Sequence, residues 1–206
     1  MANLVSYALT TRQKVKDLLG ITDNNSDALI DTLINGATAF IENYCGGRRF
    51  AATDYVEIKD TYYSDKLYFN QKPVNSVSAV EYRAGVPSSP TWITYSNNGY
   101  LLYLKQGFIR FFTRFQPTPQ AMRLTYNAGY LIKWDNETDA TQHTLPFDLT
   151  QVCTELVSKT LNTRFSQGIY QESTEGQSVT YESDRYVLND NHKVVLNQYK
   201  INRSAP

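Results

Sequence analysis

Asp27-Ala28-Leu29-Ile30-Asp31-Thr32-Leu33-Ile34-Asn35-Gly36-Ala37-Thr38-Ala39-Phe40-Ile41-Glu42-Asn43-Tyr44-Cys45 is the stretch from which the fold can be read. At about 100° per residue, Leu29, Ile30, Leu33, Ile34, Ala37, Phe40, Ile41, Tyr44 and Cys45 fall within an arc of about 160°. Asp31, Asn35, Thr38 and Glu42 fall outside it. The spacing predicts a helix over about 27–45, opened at Ser26 or Asp27 and stopped by Gly46-Gly47. Upstream, Thr10-Thr11-Arg12-Gln13 reads as a capping box with Thr10 as N-cap and Gln13 three positions on. It opens a helix over about 10–19 with Val15, Leu18 and Leu19 as its apolar edge. Gly20 stands where a left-handed terminator belongs.

Downstream the period changes from 3.6 to 2. Tyr55 to Ile58, Leu67 to Phe69, Val74 to Tyr82, Trp92 to Tyr95, Tyr100 to Leu104, Phe108 to Phe112 and Met122 to Tyr126 read as strands. Asn97-Asn98-Gly99 predicts a type I′ hairpin between Trp92–Tyr95 and Tyr100–Leu104, Gln106-Gly107 predicts a second turn, and Pro117 and Pro119 predict a break. A third helix over about 147–166 begins after Pro146, with Leu149, Val152, Cys153, Leu156, Val157 and Thr160 on one face. Residues 167–206 are poor in apolar side chains. Val179 and Tyr181 suit a short strand, and Asp190 suits the cap of a short helix carrying Val195, Leu196 and Tyr199. The expected class is α+β: a helical core from 1–49 and 146–166, a β-rich insertion over 50–145 and a C-terminal docking tail over 167–206.

A chain of 206 residues buries roughly 70% of its unfolded surface and needs no staple. Twenty basic and twenty acidic residues cancel, against broad phosphate binding. Cys45 and Cys153, each within a helical pattern, read as buried thiols. A start without a basic and apolar leader, and the absence of an apolar run near about 18 residues, predict assembly in a cytoplasm with no membrane span. Sixteen tyrosines favour both strands and interfaces.

Chemistry is sparse. The two histidines, His143 and His192, sit in no recognisable motif; a Cys153–His143 pair would place its thiol on an apolar helix face. No Cys-x-x-Cys or His pair suggests zinc. Asp135, Glu137 and Asp139 lack the glycine and closing glutamate of a calcium loop. Gly46-Gly47-Arg48-Arg49 is no phosphate loop. No cofactor is implied. Phe108-Ile109-Arg110-Phe111-Phe112-Thr113-Arg114-Phe115 interleaves basic and aromatic residues, a pattern able to stack single-stranded nucleic acid. It equally suits a strand buried on one face with arginine stems over the other, which the neutral balance favours. Arg48 and Arg49 suit a helix C-terminus, where cations meet the dipole, or an acidic group on a neighbouring subunit.

The order of these signals resembles the head–tail adaptor (connector) family of tailed bacteriophages. The likeness rests on Leu9 to Ile21 and Asp27 to Cys45 as the first two helices, then Arg48-Arg49-Phe50, Lys72-Pro73-Val74-Asn75-Ser76-Val77, Leu124-Thr125-Tyr126-Asn127-Ala128-Gly129-Tyr130, Leu145-Pro146-Phe147-Asp148-Leu149 and Gly176-Gln177-Ser178-Val179-Thr180-Tyr181. The resemblance implies a structural virion protein at the head–tail junction. It would form a ring, typically of twelve subunits, bind the portal protein and the next tail component (stopper, nozzle or tail terminator), and surround the genomic DNA without catalysis. Arg48, Arg49, Val179, Tyr181, Leu196, Tyr199 and Ile201 are the candidate partner-binding residues. The competing readings are a Tyr/Trp-rich β module binding glycan or receptor through Trp92 and Trp134, and a cysteine hydrolase using Cys153 and His143.

Overall fold

The computed structural model describes residues 3–86, 88–139, 141–165, 171–174, 177–180 and 186–201. The chain is α+β. It divides into two compact units, residues 1–48 with 132–200 and residues 49–131 with 201–206.

The first unit is helical: α1 (Arg12–Leu19), α2 (Asp27–Tyr44), α3 (Phe147–Phe165) and α4 (Asp190–Asn197). Thr11, not Thr10, caps α1, its side chain accepting from the Lys14 N–H, and Gly20 ends the helix at φ 67°. Thr10 is withdrawn into the core, its Oγ1 2.7 Å from Thr154 Oγ1 on α3. Leu18 stands 56% exposed, while Lys16 is buried and donates to Asn24 and Asp27.

The apolar arc of α2 packs as its spacing demands, with Ile30, Leu33, Ile34, Ala37 and Ile41 buried. Asp31, Thr38 and Glu42, outside that arc, are buried too. Neighbours within the unit account for two of them. Arg12 forms a fork over Asp31, and the Thr38 hydroxyl accepts from the Leu9 N–H at 3.2 Å. Helix α3 lays Leu149, Cys153, Leu156, Val157 and Leu161 against this core. Its Thr154 and Thr160 hydroxyls donate to carbonyls four residues back, so these two are satisfied within their own helix.

The second unit holds two antiparallel sheets. One has four strands in the order β1 (Thr53–Thr61), β7 (Thr118–Ala128), β3 (Val74–Ala84), β4 (Thr91–Thr94); the other runs β2 (Lys66–Tyr68), β6 (Phe108–Phe111), β5 (Tyr100–Tyr103). Their inner faces share one core of Leu67, Phe69, Val74, Val80, Ile109, Phe111, Met122, Leu124, Tyr126 and Ala128. The Tyr126 hydroxyl, inside that core, donates to Glu57 and accepts from the Gln71 N–H.

The hairpin expected at Asn97-Asn98-Gly99 is absent. Those residues form one 3-10 turn; β4 pairs with β3 and β5 with β6. The chain changes sheet there, because Tyr95 turns inward against Tyr100, Phe111 and Phe115, and burying that ring outweighs the local turn preference. Pro119 does not stop β7 either. It lies where the β1–β7 register shifts between Lys59 and Thr61, a bulge that spares its missing N–H.

Backbone bonds hold together the two ends of residues 50–130 of this unit. Tyr130 N–H donates to the Phe50 carbonyl at 2.7 Å, Ala52 N–H to the Tyr130 carbonyl at 2.8 Å, and Gly129 N–H to the Pro73 carbonyl at 2.9 Å. Gly129 has φ 116°, and a Cβ there would sit 2.6 Å from the Ala51 carbonyl oxygen. Only glycine satisfies both.

Candidate assembly interface

Asn189, not Asp190, caps α4, its side chain accepting from the His192 N–H at 2.7 Å. The helix then buries His192 and Leu196. Around it, His192 Nε2 lies 2.8 Å from Glu155 on α3 and holds that carboxyl below its ordinary range. Cys45 Sγ donates to the Leu196 carbonyl, Arg48 Nη1 to the Tyr199 carbonyl at 2.8 Å, and Tyr199 Oη to both Asp148 oxygens at 2.8 and 2.9 Å. Lys200 stands 4.0 Å over the Tyr44 ring. Farther up the chain, Tyr186 Oη donates to the Leu33 carbonyl.

Three of the seven candidate partner-binding residues, Arg48, Leu196 and Tyr199, are thus brought together inside the helical unit. Arg49 and Ile201 are half-buried. Val179 lies in β9 (Gln177–Thr180), opposite Glu172 in β8 (Gln171–Thr174); these strands pair only with each other among the described residues. Tyr181 lies outside the described residues.

The thiols are sealed. Burial pushes Cys153 up to about 12 and Cys45 up to about 11, so both stay protonated and poorly nucleophilic near neutrality. The Cys153 partner is Thr38; His143 instead accepts from the Lys133 N–H and packs on Trp134 at 4.6 Å. Asp139 accepts from the Thr141 N–H and hydroxyl and from Gln142, which accounts for its lowered pKa as turn chemistry. Among the described residues no group of three or more His, Cys, Asp or Glu is placed to hold a metal, and no helix is long and apolar enough to cross a membrane. Trp92 carries the Arg123 guanidinium 4.8 Å above its ring. That cation is fixed by two bonds to Glu81 and lies on a ring face a sugar would need.

The β unit also presents a face that propensity alone does not single out. On β6, Ile109 and Phe111 point inward and are buried, so Phe108, Arg110 and the following Phe112 share the outer face. Register places Tyr68 and Tyr103 beside Phe108, and Lys66 and Leu101 beside Arg110. The rings are in contact, Tyr103–Phe108 at 4.6 Å and Tyr68–Phe108 at 5.6 Å, with Lys66 5.2 Å over Phe108. Phe112 is 63% exposed and borders a hollow of about 260 Å³ with Asp65, Leu101, Arg110 and Phe111. The alternation of Phe108, Arg110 and Phe112 signals this face, but arginine stems alone do not cover it.

Charge is divided between the units. Residues 49–131 with 201–206 carry ten basic and five acidic side chains; residues 1–48 with 132–200 carry ten basic and fifteen acidic. The neutral total conceals +5 and −5.

A family model described as head completion protein matches residues 8–201. Among solved structures, the chain is similar to one from the neck of an empty GTA particle computed with C6 symmetry, at 14% identity and TM-score 0.61, covering 100% of this chain and 95% of that one. It is similar to one from the neck of a native GTA particle computed with C12 symmetry, at 15% identity and TM-score 0.54, covering 100% and 97%. A chain from the virion of a native gene transfer agent matches at 14% identity and TM-score 0.56, covering 98% and 94%. No curated protein matches the chain.

Proposed function

The chain belongs to the head completion protein family, structural virion proteins of the head–tail junction, and from that premise we propose that it closes into a ring which joins the portal to the tail and extends the DNA channel. The observation that carries the reading is a family match spanning both the helical and the β unit. The C6 and C12 symmetries of the similar necks support a ring of twelve copies, since a twelvefold ring also obeys sixfold symmetry. The partners are further copies of the chain, the portal protein, and the stopper, nozzle or tail terminator that follows. Genomic DNA passes through without specific recognition, and the protein contributes rigidity rather than catalysis. Assembly takes place in the host cytoplasm.

The helical unit is the rigid frame, with Arg48, Leu196 and Tyr199 serving its packing. Portal docking falls to β8 and β9, including Val179. A two-stranded ribbon is marginal alone and gains order by binding. Tyr181, Arg49 and Ile201 complete the proposed docking set. Electron microscopy of particles assembled without this protein tests the function: filled heads lacking tails are expected, and normal tailed particles would overturn it.

A further inference from the structure

We infer that the outer face of β2, β6 and β5 is a subunit–subunit contact, which grips the acidic helical unit of a second copy of this chain. The inference rests on the ring proposed above and names the surfaces that build it.

A cyclic assembly beyond a dimer uses a heterologous interface, in which one patch meets a different patch on the next copy. Two complementary patches must therefore coexist on one chain. The division into a +5 β unit and a −5 helical unit supplies that complementarity. Like patches repel, which disfavours symmetric pairing of two β faces or two helical faces.

The β face has the composition of an interface centre. Three aromatic rings, Tyr68, Phe108 and Tyr103, lie side by side, and Phe112 stands 63% exposed next to a hollow that would accept an apolar side chain. Lys66 and Arg110 are cross-strand neighbours on the same face. Aromatic and arginine side chains dominate binding energy where water is excluded. Asp65 fixes the Arg110 guanidinium through Nε at 2.9 Å, and Tyr103 on the same face also bonds it, so the cation is held over the aromatic patch. The helical unit offers the converse: Leu18, 56% exposed, stands next to Asp17 and near Asp23, both exposed. Asp17 also sits in the last turn of α1, where the helix dipole disfavours a carboxylate. Gln13, one turn earlier, donates to Asp17 at 2.7 Å and holds that carboxylate on the exposed face of α1.

The test uses full-length protein added to heads that lack it, as an equal mixture of 14N and 15N chains. A carbodiimide then joins lysines to carboxylates in contact. Mixed-isotope links from Lys66 to acidic residues of the helical unit are expected. The double variant Lys66→Glu/Arg110→Glu should load onto heads about tenfold less or worse, and Phe112→Ser should weaken loading while leaving the melting temperature unchanged. Mixed-isotope links confined to other surfaces, or undiminished loading of both variants, would overturn the inference and leave the ring intact. A complete absence of mixed-isotope links, with one copy per head, would overturn the ring itself.

Discussion

Replacing Leu196 by alanine tests whether the last helix is a working part of the helical unit. Leu196 is fully buried, and a buried Leu→Ala change costs about 2–5 kcal/mol, the range reflecting how far the site collapses. Helix α4 has eight residues and can relax or detach as one piece, so a loss of about 3 kcal/mol is expected, felt first as local undocking. At about 1.4 kcal/mol per decade, the amides of 192–198 should exchange with solvent roughly a hundredfold faster, with α2 and α3 little changed. Tyr199→Phe removes only the hydroxyl bonded to Asp148; a bond to a charged group is worth about 1.5–3 kcal/mol, so exchange roughly ten- to a hundredfold faster is expected. Hydrogen exchange with mass spectrometry measures both. The reasoning fails if α4 in the parent protein already exchanges at the rate of an unfolded chain, or if Leu196→Ala leaves its protection unchanged.

Arg12→Ala should cost about 2 kcal/mol or more by leaving the buried Asp31 carboxylate without its fork, read as a fall in denaturant midpoint; Arg12→Lys should recover only part. Native protein should resist thiol reagents at pH 8 at both Cys45 and Cys153, whose burial keeps them protonated, and label fully in denaturant; fast native labelling would contradict their burial. The same shift has a sign: unfolding releases each thiol to its ordinary value of 9.0, so the unfolded chain loses protons first and stability should fall as pH rises through about 9. Gly129→Ala should destabilise by about 2 kcal/mol or more, since its Cβ meets backbone. Gly20→Ala, also at positive φ but with open space around it, should cost only about 1 kcal/mol; equal melting temperatures would refute the steric argument.

Helices α2 and α3 were legible because each is long enough for apolar spacing to repeat, as Ile30 to Ile41 and Leu149 to Leu161 do, whereas the eight-residue α1 and α4 were signalled by their caps. The α+β class followed from the change of period after Phe50. Caps were misplaced by one residue, Thr11 for Thr10 and Asn189 for Asp190, and two larger features escaped local reading. Asp31, Thr38 and Glu42 fall on the polar side of α2 yet are buried; for Asp31 and Thr38, Arg12 and Leu9 supply partners that periodicity cannot register. Asn97-Asn98-Gly99 carries the chemistry of a tight hairpin, but Tyr95 finds its aromatic neighbours in the other sheet, and that long-range packing decides the path. Of the candidate partner-binding residues, Leu196 and Tyr199 were conspicuous as apolar and aromatic positions in a polar stretch. The sequence contained no sign that Asp148 of α3 would bond Tyr199 or that Cys45 would meet the Leu196 carbonyl. The outer face of β6 was encoded in plain alternation. Its neighbours Lys66, Tyr68 and Leu101 come from separate strands and meet it only through register.

The backbone bonds among Phe50, Ala52, Pro73, Gly129 and Tyr130 give residues 50–130 of the β unit one doorway. The two ends are held side by side by backbone bonds that ask little of side chains, so what lies between them can be lengthened, shortened or exchanged without parting them. Such a doorway separates two histories. The helical frame can keep its packing while the module behind the doorway changes its outer face. A β unit transplanted between relatives at residues 50 and 130 should therefore carry its neighbour preference with it.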